Sequence, residues 1–362
     1  MTTPNCRQVK LPIKNRELIN SLIYSLSIKF PEAKFGYCER SSSLSAECGE
    51  DAFRNIEVYT NKFISGITRL GDRAQIKTIE SYDGRRKLSG SIRPSCLCPT
   101  TLKGVYGEFA EMAETMTALD SIFLRVAAKQ SAAPVELPSL VSRGMLEKAG
   151  YLPRDEYNVG RIGTFDGAGH DACLCPAGCL PLYPMLATSA EPLPPSAFTA
   201  LCRVFRYEGG AFSRELPFLR TWEFRVREII YLDTPAACQK RKDEFVELMS
   251  ALLKHFGISF EITTAADIFF DPAYYCQSIF QLLSQTKIEC RVQLGDSALA
   301  LASFNIHADH FKSAFGIKTC SSEMVTACVG FGMERMAGTL LLAYPDRRER
   351  ISVLQSALDL IR

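Results

Sequence analysis

Six apolar residues, Phe109, Met112, Met116, Leu119, Phe123 and Val126, advance along the chain in steps of three and four. At 3.6 residues per turn they form one continuous stripe on one helix. Such a stripe is core, and it needs another layer to cover it. A second helical piece surrounds Leu146, beyond Pro134 and Pro138. An amphipathic helix is expected near residues 239–256, with Phe245, Val246, Met249, Leu252 and Leu253 as its apolar face. Short strand-like runs occupy the rest of residues 160–260.

Residues 1–103 have a different character. Leu18, Ile19, Leu22, Ile23 and Leu26 recur at helical spacing, whereas Arg54–Thr60 and Ala74–Glu80 alternate with the period of a strand, with a turn at Asp83-Gly84. A small α+β domain is expected over 1–103, and the main domain over 104–362. The boundary is placed at Pro94–Pro99, where Cys96, Cys98 and two prolines break the pattern.

Composition narrows the class. Of 362 residues, 47% are apolar and 23% charged, as in a soluble enzyme with a sizeable core. The 42 basic and 40 acidic residues leave a net charge of +2, against a dedicated nucleic-acid binder. Mean hydropathy is zero, and no apolar run approaches the ~18 residues that span a bilayer. The first residues lack the apolar stretch of a secretory signal. A cytoplasmic location is therefore expected, where 14 cysteines serve as thiols or metal ligands rather than disulfides.

No GxxxxGK[ST] loop and no GxSxG elbow is present, and Gly330-Phe331-Gly332 lacks the third glycine of a dinucleotide fingerprint. If ATP is used, arginines must hold it. Such a set exists. Phe205-Arg206-Tyr207-Glu208 and Arg220-Thr221-Trp222-Glu223-Phe224 lie on strand-like flanks that can pair as an antiparallel hairpin. Gly330-Phe331-Gly332-Met333-Glu334-Arg335 reads as a strand entering a helix. In order and together, these segments resemble the signature of class II aminoacyl-tRNA synthetases. The stretches 176–184, 303–311 and 326–332 narrow the resemblance, over roughly residues 105–362, to the amino acid:carrier-protein ligases. These are truncated relatives of the archaeal-type seryl-tRNA synthetase.

The resemblance implies an antiparallel sheet flanked by helices and a homodimer built on the first motif, mapped to the helix from Glu108 and the segment through Pro138. It implies ATP-dependent adenylation of a small amino acid (glycine, alanine or serine), then transfer to the phosphopantetheine thiol of a carrier protein. Planar, permanently charged guanidinium groups suit phosphate oxygens. Arg206 is assigned to the α-phosphate, Arg220 and Arg335 to the outer phosphates. Phe224 would stack on adenine, with Arg335 on the other side, and Glu208 would fix the loop or the adenine edge. Cys179, Glu228 and Cys328 match the family's zinc ligands, one ion per subunit, and three protein ligands leave a fourth position open. Glu289 and Asn305 offer oxygens for magnesium, in a segment that includes Lys287, Ser303, His307 and Asp309. Gly330, two residues after Cys328, leaves room beside the metal. An acidic carrier protein would dock on the helix at 239–256 through Lys240, Arg241 and Lys242.

Other readings stand beside these. His170, Cys173, Cys175 and Cys179 span ten residues and offer a closed structural zinc site; Cys173 and Cys175 read equally as buried thiols. A seryl-type tRNA synthetase would need clustered Lys and Arg in residues 1–103, where no such stripe is seen, so no tRNA is expected. A non-catalytic paralogue acting by binding would be free to lose site residues, and none of those named is lost.

Overall fold

The computed structural model describes residues 5–12, 19, 22–23, 26–27, 29–30, 32–68, 76–93, 96–152, 155–163, 171–207, 216–267, 281–295 and 297–361. Of the positions singled out above, Leu18, Ala74, Pro94, His170 and Glu208 lie outside the described residues.

The chain begins with a small antiparallel sheet. Strands β1 (Asn5–Lys10), β2 (Lys34–Cys38) and β3 (Ser43–Cys48) pair in the order β1-β3-β2. Leu44, Ala46 and Cys48 alternate into a core shared with Ile19, Leu22 and Leu26 and with helix α1 (Glu50–Thr68). The strand expected at Arg54–Thr60 is thus part of a helix. Ile56 and Val58 suggested alternation, yet Val58 is exposed, while Ile56, Tyr59, Thr60 and Phe63 are buried at helical spacing.

The next strand, β4 (Thr78–Tyr82), does not join this sheet. It pairs with residues 260–263 at the edge of a much larger one. The boundary expected at Pro94–Pro99 therefore falls after a strand that the large sheet already includes. A short hairpin, β5 (Leu97–Pro99) with β6 (Tyr106–Glu108), leads into α2 (Ala110–Lys129). The predicted stripe is buried from Met112 to Val126, while Phe109 is the exposed N-cap residue. Strand β7 (Ala133–Pro134) follows. Next come β8 (Leu140–Ser142), α3 (Arg143–Lys148), β9 (Arg161–Ile162), β10 (Ala172–Leu174) and α4 (Leu182–Leu186).

The rest of the large sheet comes from β11 (Ser196–Phe205), β12 (Glu223–Asp233), β13 (Phe260–Thr264), β14 (Lys287–Leu294), β15 (Ser297–Ala308) and β16 (Val325–Gly332). Its order is β4-β13-β14-β15-β16-β12-β11-β7. Every neighbouring pair is antiparallel except β7, which lies parallel to β11. Helices α5 (Pro235–His255), α6 (His310–Phe315), α7 (Met333–Ala343) and α8 (Arg347–Leu360) complete the chain. Thr234 caps α5, accepting from the Ala237 N–H at 3.3 Å, and Pro235 opens the helix, so it starts four residues before the expected position.

Alternation along the central strands sorts the sheet into two faces. Ile229, Tyr231, Ala327, Val329, Phe331, Phe304, Ile288 and Cys290 point one way, into a core with α2, α5, α7 and α8. Phe123 of α2 stacks on Phe331 with ring centroids 4.0 Å apart. Arg227 of β12 reaches the same helix, donating to both Asp120 oxygens at 2.7 and 2.8 Å. The intervening residues, Phe224, Val226, Glu228, Cys328, Gly330, Ser303, Asn305, Lys287 and Glu289, therefore share the opposite face. Among the described residues no helix is long and apolar enough to cross a membrane.

Candidate functional site

The second face is built by register. Glu228 of β12 lies opposite Gly330 of β16, Gly330 opposite Ser303 of β15, and Ser303 opposite Glu289 of β14. One step along, Cys328 faces Asn305, and Asn305 faces Lys287. Four strands distant in sequence thus contribute one row each, because a strand returns its side chains to the same face every second residue.

Cys179 arrives from outside the sheet, on the turn between β10 and α4. The Cys179 and Cys328 sulfurs and a ring nitrogen of His307 all lie within 4.8 Å of one another. Hydrogen bonds with Cys328 and Tyr183 overcome the cost of burial and hold the Cys179 thiol below its usual range. Its neighbour Cys328 is pushed well up, by Cys179 and by burial. Burial drives the Glu228 carboxyl far above the ordinary range, with the charge of Cys179 adding to it. Cys328 also bonds to this carboxyl, yet Glu228 Oε2 is buried with no hydrogen-bond partner. Two sulfurs and a carboxylate, one of whose oxygens is orphaned and buried, are costly without a cation and fit zinc well. Two glycines keep the space open. A Cβ on Gly178 would come within 2.9 Å of Glu228 Cγ, and one on Gly330 within 3.4 Å of its Oε1.

His307 belongs to the stretch linked above to magnesium, but the fold sets it beside the cysteines. Its Nε2 is 3.7 Å from Cys328 Sγ and its Nδ1 is 3.3 Å from the Tyr183 hydroxyl. Burial, with a smaller push from His310, lowers its pKa to about 3. Tyr183 is fully buried and stacks on Phe311 with ring centroids 4.3 Å apart. Alternation from Ser303 and Asn305 is the signal that finds His307 on this face; nothing in the sequence singles out Tyr183. Asp309 is not part of the site. It is exposed and accepts from Ser313 at 3.0 Å.

The arginines surround the same face. β11 and β12 form the expected hairpin, and Arg206 continues it, donating its backbone N–H to Trp222. The Arg206 Nε donates to the Pro176 carbonyl at 2.7 Å, which ties it to the turn carrying Cys179. Its guanidinium sits over the Phe224 ring, 5.6 Å from the centroid. Arg335, in the first turn of α7, donates to the Leu219 and Ala300 carbonyls, both at 3.2 Å. It thereby lies beside the segment that ends at Arg220.

Glu289 is gripped by Lys287 at 3.2 Å and Arg291 at 3.0 Å. Asn305 donates to Ser303 at 3.3 Å. Cys173 is buried, and Cys175 Sγ bonds the Ala177 carbonyl at 3.1 Å, its pKa raised by burial to about 12. Both behave as core thiols. The three basic residues of α5 do not form one surface. Lys240 is exposed, but Arg241 is half-buried and paired with Glu244 at 3.0 Å, and Lys242 is buried, donating to the Gln285 carbonyl at 3.0 Å. A helix presents only about every fourth residue to the same side, which consecutive charges cannot satisfy.

The chain matches no family model. It is 30% identical over 255 residues to amino acid–(acyl-carrier-protein) ligase 1 of Bradyrhizobium diazoefficiens, covering 61% of this chain and 76% of the relative. The crystal structure of Methanopyrus kandleri seryl-tRNA synthetase in complex with Aquifex aeolicus tRNASec superposes with a TM-score of 0.63 at 16% identity. That match covers 95% of this chain and 77% of the synthetase. The Pyrococcus horikoshii seryl-tRNA synthetase complexed with ATP gives 0.54 at 16% identity, over 71% of this chain and 57% of the other. The fold is that of a class II synthetase, and the chain belongs to the amino acid–(acyl-carrier-protein) ligase family.

Proposed function

We propose that this chain activates a small α-amino acid, glycine, alanine or serine, as the aminoacyl-adenylate and transfers it to the phosphopantetheine thiol of a carrier protein. The carrying observation is that Cys179, on its turn, meets Cys328 and Glu228 of one sheet face, and that Arg206 is bonded to the same turn. On this reading the residues for the amino group and for the phosphate share one frame.

Arg206 orients the α-phosphate and meets the charge that grows on its oxygens as the amino acid carboxylate attacks phosphorus and the bond to pyrophosphate breaks. Arg220 and Arg335 hold the outer phosphates, and Phe224 offers its ring to adenine. Glu208 fixes the loop or the adenine edge. Glu289 and Asn305 supply oxygen ligands for magnesium. Cys179, Glu228 and Cys328 would hold one zinc ion per subunit, which when bound takes up the free amino group and so orients the carboxylate. In the second step the carrier thiolate attacks the acyl carbon and AMP departs.

The chain is proposed to work in the cytoplasm as a homodimer through the helix from Glu108 and the segment through Pro138. Of the three basic residues on α5, Lys240 is the one placed to meet an acidic carrier. Residues 1–103 are kept as a separate unit of undefined role, apart from β4.

The test is amino-acid-dependent ATP–pyrophosphate exchange on zinc-loaded protein with glycine, alanine and serine. Exchange with one of them, abolished in Cys179→Ala, is expected. Bound zinc without exchange for any amino acid would sink the reading in favour of a paralogue that acts by binding.

A further inference from the structure

We propose that His307 is a fourth protein ligand of the metal in the resting enzyme, occupying the position that the substrate amino group later takes. The inference rests on the reading above, in which Cys179, Glu228 and Cys328 hold zinc, and it describes how that site is kept closed.

Distance is the first argument. Zn–S and Zn–N bonds of about 2.3 and 2.0 Å set the two donors about 3.5 Å apart across a tetrahedral edge. His307 Nε2 stands 3.7 Å from Cys328 Sγ, and both lie within 4.8 Å of the Cys179 sulfur.

Direction is the second. The Tyr183 hydroxyl bonds to Cys179 and stands 3.3 Å from His307 Nδ1. Nδ1 is thereby turned to a buried hydroxyl, and Nε2 is the ring nitrogen that faces the cysteines, 3.7 Å from Cys328 Sγ. A ligating imidazole that gives its other N–H to a fixed acceptor is the usual arrangement in metal sites.

The backbone is the third. Pairing of β15 with β16 slips at His307: Ile306 faces Ala327, but Ala308 faces Thr326. His307 is the extra residue of a bulge, and Ala308 beyond it has φ of +51°. A bulge re-aims one side chain and is kept at a cost in pairing, which is why bulges gather beside active sites. Tyr183 and Phe311 wall the ring edge-on, with centroids 6.1 and 4.8 Å away. With Cys179, Cys328 and Glu228, His307 brings the donors to four, so an incoming amino group must displace one. His307 is the neutral donor and sits on the irregular backbone.

X-ray absorption at the zinc edge tests this on the full-length zinc-loaded protein. The resting spectrum is expected to show two sulfur donors and the outer-shell scattering of one imidazole. His307→Ala should lose the imidazole signal while keeping zinc near one per chain. Wild type saturated with whichever of glycine, alanine or serine supports exchange should lose it too. Zinc bound by two sulfurs with no imidazole in the resting protein would overturn the proposal while leaving the ligase reading intact. So would an imidazole that survives in His307→Ala, or one that persists with the amino acid bound. Failure of wild type to bind zinc at all would overturn both. Cobalt(II) in place of zinc gives a second readout: the visible bands should shift on adding the amino acid to wild type and change less in His307→Ala.

Discussion

Glu289 sits between two cations, and its protonation is coupled to folding. Burial alone would raise its pKa, but Lys287 and Arg291 outweigh that and hold it below the ordinary carboxylate range. A depressed pKa in the folded state contributes stability that is complete above the unfolded value, about 4.3, and is lost as pH falls through the folded value. Glu289→Gln should therefore flatten the acid side of a denaturant-stability profile measured from pH 5 to pH 3. An unchanged slope would show that Glu289 is not held this way. Gly178 offers a second test. A methyl there meets Cys202 Cβ at 2.8 Å and Glu228 Cγ at 2.9 Å, so Gly178→Ala should cut bound zinc, measured by metal analysis, well below one per chain. The cysteines and Glu228 were legible only through resemblance, since nothing local in the sequence joins positions 179, 228 and 328. Their meeting is set by strand register and by the turn before α4. His307 entered only as part of the segment linked to magnesium; its nearness to Cys328 comes with a bulge that no composition rule announces.

At the level of elements, helices α2, α7 and α8 share one apolar core with a buried ion pair at its edge. Arg350 of α8 is completely buried and pairs with Glu111 of α2 while donating to the Tyr344 carbonyl at 2.7 Å. Removing one partner strands the other, so Arg350→Ala should cost about 3–5 kcal/mol in chemical denaturation. Gly338 of α7 packs on the Phe218 ring, where a methyl would approach to 2.5 Å. Gly338→Ala should destabilise by about 1–3 kcal/mol and, because Phe218 lies two residues before Arg220, raise the KM for ATP. The apolar stripe of α2 and the hairpin of β11 and β12 were readable because each is long and periodic. The strand expected at Arg54–Thr60 failed because a short run with Ile56 and Val58 satisfies both periods, and burial of Tyr59 and Phe63 decided for the helix.

Across the whole molecule, a net charge of +2 conceals an uneven division. Residues 1–103 hold 17 basic and 10 acidic residues, and the remainder holds 25 and 30. Absence of a visible stripe along the sequence had masked this excess. Attraction between an N-terminal unit of net +7 and an acidic acceptor would act mainly on encounter. Deleting residues 1–75, whose 11 basic and 8 acidic residues supply +3 of this charge, should leave pyrophosphate exchange intact and slow transfer to the acceptor modestly, most visibly at low salt. Deletion of 1–103 should be worse for a different reason, because it removes a strand of the large sheet and should lower the thermal midpoint. That strand, β4, also has a kinetic meaning. Its flanking residues bond to partners far along the chain: Lys77 to Thr264 and Gly84 to Ser259, at separations of 187 and 175 residues. On a ribosome β4 emerges long before β13 exists to receive it, with the strand's backbone uncovered. The earliest part of the sheet to be synthesised is among the last to be paired, which marks β4 as the segment most in need of shelter while the chain is being made.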